Sequence, residues 1–470
     1  MTGRIHDGSN GDVAADMYNK YKDDIKMMKS MGLDAYRFSI SWSRILPRGR
    51  VSLGVNKQGI DYYNDLINTV IANDMKPFVT LFHFDLPHSF ATRVRWLLKQ
   101  RRGFFREYAE LCFREFGDRV KYWMTLNEPW SYAYNGYVSY EFPPGLDPQI
   151  NSLPASIVHS PPPVASQYEL SRPHHHIEQH HQLLNHIEQQ HQLLNAVPNS
   201  IINNQRVNNI GTTIYKLYSE PDPPRDAHAA ASNLIYYSGS KRKRDPAKDA
   251  YTVGRNLLLA HALAVHSYRT KFQERQKGQI GIALNTFWCE PHMKDDANDK
   301  EAGKRAMDFT LGWFLEPVLT GQYPKTMRDC VPSGNLAAFS DGEAKMLKGS
   351  IDFLGLNYYT ALYAANDPNP SHKQGYKEDQ RLHLYLYMRE DYHKRHLVYL
   401  LKAMKDKQVP ANVKGYFVWS WCDNFEWAVG YTVRFGLMYV DYENHQKRYP
   451  KASAIWFAKF LGSKKLLRAN

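Results

Sequence analysis

A chain of 470 residues can form one large domain or two ordinary ones, and 43% hydrophobic residues suffice for a sizeable core. The formal charge of +13 admits an anionic partner. The excess, however, is spread along the chain, apart from Arg93, Arg95, Lys99, Arg101 and Arg102, and the run Lys241-Arg242-Lys243-Arg244; both clusters read first as solvated loops. No nucleic-acid fold accompanies them, so no nucleic-acid partner is expected, and no apolar stretch is long enough to span a membrane. The four cysteines, Cys112, Cys289, Cys330 and Cys422, form no CxxC pair of the kind that holds zinc.

The elements alternate from the start. Tyr18, Tyr21, Ile25 and Met28 fall at helical spacing before Gly32. A β-favouring run follows over residues 34–42, then a helix with Ile60, Tyr63, Ile67 and Val70 on one face. Residues 76–83 read as the next strand, a helix through Tyr108, Leu111 and Phe116 stops at Gly117, and residues 120–126 read as a further strand. Later come a long helix over 253–276, a strand over 278–288, a helix near 306–314, and strands over 351–360 and 413–420. Strand, helix and strand in strict succession predict parallel βαβ units, hence an α/β chain folded as a (β/α)8 TIM barrel. A doubly wound sheet is the alternative, but no glycine-rich phosphate fingerprint follows the first strand. The whole chain, 1–470, reads as one domain with a low-complexity and loop insert at 145–250. Within the insert a ten-residue unit, 176–185, is almost repeated at 186–195, which predicts disorder or a lone helix. Its histidines fix no ligand geometry, so no metal site is expected.

In a barrel of this kind the chemistry sits where strands end. That rule selects Arg37, His83, Asn127 with Glu128, Asn357 with Tyr358 and Tyr359, and the cluster Trp419, Asp423, Asn424, Glu426 and Trp427. Each has a plainer reading alone: His83 as a core histidine, Arg37 as a buried ion-pair partner, Glu128 as a strand terminator, the tryptophans as core. Converging on one rim they make a sugar-binding set, with carboxylates and amides for hydroxyls and indoles for the pyranose face.

Five of these segments, in order, resemble the motifs of glycoside hydrolase family 1, with the plant-type β-glucosidases closest. They are Tyr36-Arg37-Phe38-Ser39-Ile40-Ser41-Trp42, Leu81-Phe82-His83-Phe84-Asp85-Leu86-Pro87, Thr125-Leu126-Asn127-Glu128-Pro129, Asp352-Phe353-Leu354-Gly355-Leu356-Asn357-Tyr358-Tyr359-Thr360 and Trp419-Ser420-Trp421-Cys422-Asp423-Asn424-Phe425-Glu426-Trp427. The resemblance implies a β-glucosidase-type O-glycosyl hydrolase. It would act on small β-D-glucosides by retaining double displacement, without a cofactor, its two carboxyls standing about 5 Å apart. Glu128 would be the acid/base. His83, Asn127, Tyr359, Trp419, Glu426 and Trp427 would bind the sugar, and Arg37 would orient the nucleophile.

The family's Thr-Glu-Asn-Gly nucleophile strand has no counterpart here. After Thr360 the chain reaches the helix near Tyr392 too soon, and Glu378 and Glu390, the two glutamates in the interval, stand beside no Asn-Gly. The nucleophile is therefore unknown, and the barrel is expected to lack its first and seventh strand segments. Open edges of that kind invite association or instability, and the oligomeric state is left open. A truncated or misassembled gene product and a decayed paralogue fit equally. An active β-glucosidase and a non-catalytic glucoside-binding or partner protein both follow as readings. Met1 to Gly8 hold no apolar leader, so an intracellular address is the default expectation; residues 241–244 add the nucleus.

Overall fold

The computed structural model describes residues 5–90, 100–142, 212–214, 245–369, 375–387 and 392–462. The tandem decapeptide, residues 241–244, Arg93, Arg95, Lys99 and Glu390 lie outside them. Ten strands occur among the described residues: β1 Ala35–Ser39, β2 Lys76–Phe82, β3 Tyr122–Asn127, β4 Thr212–Ile214, β5 Gln279–Pro291, β6 Phe353–Asn366, β7 Leu382–Tyr387, β8 Phe417–Trp419, β9 Met438–Asp441 and β10 Lys447–Pro450. The first eight make one sheet in the order β7-β6-β5-β3-β2-β1-β4-β8, and β9 and β10 pair separately. Every neighbour in the large sheet is parallel except β6 and β7. The helices Met17–Ser30, Lys57–Ala72, Gln100–Phe116 and Pro246–Lys271 precede β1, β2, β3 and β5 respectively, as βα succession requires.

The six strands read from the sequence are all present as β1, β2, β3, β5, β6 and β8. They were legible because parallel strands covered on both faces are continuous apolar runs; every residue of β1 is buried. The slot beside β1 is taken by β4, three residues from within the 145–250 span, which reads from the sequence as a low-complexity and loop insert. It pairs with Ala35–Arg37 on one side and Phe417–Trp419 on the other. Thr-Thr-Ile suits a strand, and its insertion pairs two edges at once.

Among the described residues the opposite slot is open. β7 runs antiparallel along the outer part of β6, residues 361–366. Among the described residues no strand joins β6 to β8. The consequence is visible on β6, where Leu354 and Leu356 are 37% and 53% exposed, unlike the sealed residues of β1. A seventh parallel strand with its helix would cover such a face.

Elsewhere the barrel wall is tightly made. Trp42 stacks on Tyr108 with ring centres 4.9 Å apart, and the Tyr108 hydroxyl is hydrogen-bonded to the carbonyls of Ile40 and Leu81 where β1 and β2 end. Arg448 on β10 grips Asp24 of the Met17–Ser30 helix at 2.9 Å, both side chains buried, closing the C-terminal hairpin against the N-terminal helix. Arg101 and Arg102, the two described members of the first basic cluster, do not lie in the solvated loop expected. Arg101 is buried with its guanidinium 4.1 Å from the Phe90 ring centre, and Arg102 bonds Asn256 and Glu343. Their stems pack along the apolar wall while their heads find partners, so a run of arginines becomes part of a helix interface. All four cysteines are free thiols.

His261, in the Pro246–Lys271 helix, is fully buried between Thr125 Oγ1 at 2.6 Å and Ser350 Oγ at 3.2 Å. Burial pushes its pKa down to about 3. In the unfolded chain it regains the ordinary value near 6.5, so below that pH the unfolded state binds a proton that the folded state refuses. Stability is therefore expected to fall as pH drops from about 6.5 toward 3, and His261→Gln is expected to flatten that slope. Urea midpoints measured across this range would check it; parallel slopes for the two proteins would refute it.

Candidate active site

Glu128 stands between β3 and the helix Pro129–Tyr137. Proline at the first helical position suits a helix start. The residue before it is held in the left-handed region, with φ 44° and ψ 60°. Phe84, just past β2, and Trp427, in the segment that follows β8, also hold positive φ, 80° and 50°. Non-glycine residues in this region cost of order 1–3 kcal/mol each and gather at functional sites. The β3–β5 register also shifts between Met124 and Asn127. The bulge re-aims the strand end, and the Glu128 N–H anchors on the Ala283 carbonyl at 2.8 Å.

The side chains then form one connected network. Asn127 Oδ1 accepts from Arg37 Nη2 at 2.7 Å and from Asn357 Nδ2 at 3.1 Å. With its oxygen committed to two donors, its Nδ2 faces His83 Nε2 at 2.9 Å. That pairing puts the imidazole proton on Nδ1. Asn357 Nδ2 also donates to Glu128 Oε1 at 2.7 Å, and Ser131 Oγ donates to Oε2 at 2.7 Å. Both carboxylate oxygens are thus fixed by neutral donors. Arg37 Nε donates to Thr80 Oγ1 at 3.0 Å. Burial pushes the guanidinium down to about 10, against the opposing charges of Tyr359 and Glu128, so it stays cationic at neutral pH. The backbone under His83 is held by Asp85, whose carboxylate accepts from His83 N at 3.2 Å and Trp42 N at 2.9 Å while burial pushes its pKa up.

Aromatic rings complete the mouth. The rings of Trp419 and Trp427 each lie 6.3 Å from the His83 ring. Trp427 further packs on Phe84 at 5.1 Å and stacks on Phe142 at 5.2 Å. The Trp419–Ser420 peptide bond is cis. Glu426 is half-buried, its N–H bonded to the Gly430 carbonyl at 2.8 Å. Tyr359 is 46% exposed.

Arg37, His83, Asn127, Glu128, Trp419 and Trp427 are therefore brought together, with Tyr359 close enough to act electrostatically on Arg37. Asp423 leaves the group: it is sealed by Arg434, Lys451 and backbone N–H groups, and its role is structural. Asn357 was visible as a strand-end residue without a role, and it proves to be the donor that fixes Glu128. Ser131 had no signal beyond lying one helical turn after Glu128. Glu378 lies in a short helix, Tyr376–Asp379, whose Tyr376 is buried against Trp130, Tyr134 and Trp313, outside the Arg37–Asn127–Glu128 network. Among the described residues no group of three or more His, Cys, Asp or Glu could hold a metal ion, and no helix is long and apolar enough to cross a membrane.

One carboxylic acid held at a barrel rim beside amide, imidazole and indole groups is an arrangement for protonating a glycosidic oxygen while gripping sugar hydroxyls. Comparison with known proteins identifies the family. The glycosyl hydrolase family 1 model matches residues 1–239, 230–386 and 383–466. The chain is 38% identical to raucaffricine-O-β-D-glucosidase of Rauvolfia serpentina, over 96% of this chain and 82% of that protein. It is 38% identical to oleuropein β-glucosidase of Olea europaea, over 98% and 82%. The alignment with the Rauvolfia enzyme runs over 518 positions, more than this chain's 470 residues, so that relative carries segments without counterpart here. In three dimensions the chain matches a rice β-glucosidase, Os3BGlu6, with a TM-score of 0.74 and 32% identity, over 97% of this chain and 90% of that one. Barrel, rim and relatives together establish that the chain belongs to glycosyl hydrolase family 1, the family of the β-glucosidases.

Proposed function

We propose that the cleft binds small β-D-glucosides and that Glu128 serves as the general acid/base of a retaining glycosidase site in which this chain supplies only half of the chemistry. Asn127 and His83 take hydroxyls on one side of the glucosyl ring, Trp419 floors it, and Glu426 with Trp427 take the far hydroxyls. The observation that carries the reading is the fixing of Glu128 by Asn357 and Ser131 inside the Arg37–Asn127–His83 network, a preorganised acid on a rigid rim. For the other half, no strand fills the slot between β6 and β8 among the described residues, and Arg37, the residue suited to orienting a carboxylate nucleophile, bonds Asn127 and Thr80 instead. The same open slot favours the second reading, glucoside binding without turnover.

Hydrolysis of p-nitrophenyl β-D-glucoside by the purified chain, with and without sodium azide, tests this. Azide can attack the anomeric carbon from the face opposite Glu128, and the expected result is turnover with azide alone, giving α-glucosyl azide. Turnover without azide would show that a carboxylate of the chain already fills the place. Glucoside binding with no turnover in either condition would leave the second reading standing.

A further inference from the structure

A cavity of about 520 Å³ has no lining residue in common with the Arg37–Asn127–Glu128 network. One wall is the end of the helix Lys325–Cys330 and the turn after it, closed by the Asn335 N–H on the Pro332 carbonyl at 3.0 Å, with Gly334 at φ 84°. Arg381 supplies another wall. It is held at φ 51°, its N–H on the Glu378 carbonyl at 3.1 Å and its own carbonyl accepting from Asp367 N at 3.0 Å and Arg305 Nη2 at 2.9 Å. The backbone there is clamped, so the side chain starts from a fixed point. Its guanidinium makes no ion pair among the described residues, yet its charge acts on the Cys330 thiol, another lining group. Arg328 donates from Nε to the Tyr323 carbonyl at 3.2 Å, and its charge reaches Glu316 without pairing. Asp329 is the one carboxylate among the lining residues, and Lys325, one helical turn before it, already pairs with it. The charge left over is that of two arginines. Guanidinium N–H groups match phosphate oxygens in pairs, and a phosphate monoester, with its second ionisation at about pH 6, is a dianion at neutral pH. The volume is more than a bare phosphate fills and falls within the range of small-molecule sites. Val331, which is buried, and the half-buried Leu336 offer apolar surface to the rest of such a ligand.

We propose that this cavity is a second binding site, for a small organic phosphate monoester, with Arg328 and Arg381 holding the phosphate and Val331 and Leu336 taking its apolar body. The site shares no residue with the glucoside cleft, so it stands or falls separately from the acid role of Glu128. Cys330 makes its occupancy measurable. It lines the cavity and is the one cysteine of the four that is not buried, so a ligand seated there shields the most accessible thiol of the chain.

The test is calorimetric titration of phenyl phosphate into the full chain at fixed ionic strength, with the rate of Cys330 alkylation by iodoacetamide followed by mass spectrometry at each concentration. One saturable site is expected, and alkylation is expected to slow as it fills. Arg328→Met and Arg381→Met are each expected to weaken binding by about tenfold, the loss of one charge-assisted hydrogen bond. Asp329→Asn, which removes the one lining carboxylate, is expected to tighten it. All three side chains are exposed, so the substitutions are expected to leave the fold intact. Inorganic phosphate is expected to bind more weakly than phenyl phosphate, and phenol not to protect the thiol. Four results would each overturn the proposal. They are no saturable site, saturable binding that leaves Cys330 alkylation unchanged, undiminished affinity in both arginine variants, and equal affinity for inorganic phosphate, which would mean an adventitious ion only. Protection by phenol equal to that by phenyl phosphate would also overturn it, because the cavity would then be an apolar recess in which the arginines take no part.

Discussion

Glu128→Gln is expected to slow azide-dependent release of a poor leaving group, such as an alkyl alcohol, by about 10²–10⁴-fold, while leaving the release of 2,4-dinitrophenol close to that of the unaltered chain. The contrast follows from what a general acid does. An alkoxide departs only if it is protonated as the bond breaks; a dinitrophenolate departs as the anion. The substitution is nearly isosteric: Gln can still accept from Asn357 Nδ2, now 2.7 Å from Oε1, and its amide nitrogen can donate to the hydroxyl of Ser131, now 2.7 Å from Oε2. Ring binding through Asn127 and His83 is therefore expected to survive. Rates for a leaving-group series, plotted against leaving-group pKa for both proteins, would check this. A uniform loss across the series would mean that Glu128 positions the sugar and donates no proton.

What was legible in the sequence follows from the physics of each element. The six barrel strands could be read because each is a mostly apolar run, whether sealed as in β1 or left partly open as in β6, and the strand-end rule then picked out Arg37, His83, Asn127, Glu128 and Trp419 without any knowledge of their distances. β4 could not be read, because three residues, Thr212–Ile214, carry too little pattern; their strand state comes from two neighbouring edges, β1 and β8, that are distant in sequence. β7 was missed for a similar reason: it is antiparallel on an otherwise parallel sheet and follows the outer half of β6. Within the site, the bond between Asn357 and Glu128 spans 229 positions of chain, beyond the reach of any local spacing rule. The acidic residues show the same limit. Asp423 and Glu426 lie three positions apart after one strand and read alike, yet one is sealed among cations and N–H groups while the other is half-exposed. Burial separates the structural acid from the candidate ligand, and burial is a property of the whole fold.

That difference makes Asp423→Ala the substitution with the largest expected effect on stability, about 2–4 kcal/mol, chiefly the cost of leaving buried backbone N–H groups without their acceptor, since Arg434 and Lys451 keep some contact with solvent. The Asp423 carboxylate is fully buried and takes Lys451 Nζ at 2.6 Å, Arg434 Nη1 at 3.0 Å, Gly436 N at 3.0 Å and Val440 N at 3.3 Å. Alanine would leave two cations and two N–H groups without their shared acceptor. Rearrangement offers little relief, because a Cβ placed on Gly436 would come within 2.1 Å of Asp423 N, so the two segments have no slack. Ordinary domains have about 5–15 kcal/mol of stability in all. A loss of this size is expected to remove much of what holds the C-terminal hairpin to the barrel. Glu426→Gln, three residues on, is expected to leave the urea midpoint almost unmoved while weakening glucoside binding. Urea unfolding of the two variants beside the unaltered chain separates the roles. A midpoint for Asp423→Ala within about 0.5 kcal/mol of the starting protein, the range of ordinary surface changes, would show that Arg434 and Lys451 find other partners and that the buried cluster is not what ties β9 and β10 to the end of β8.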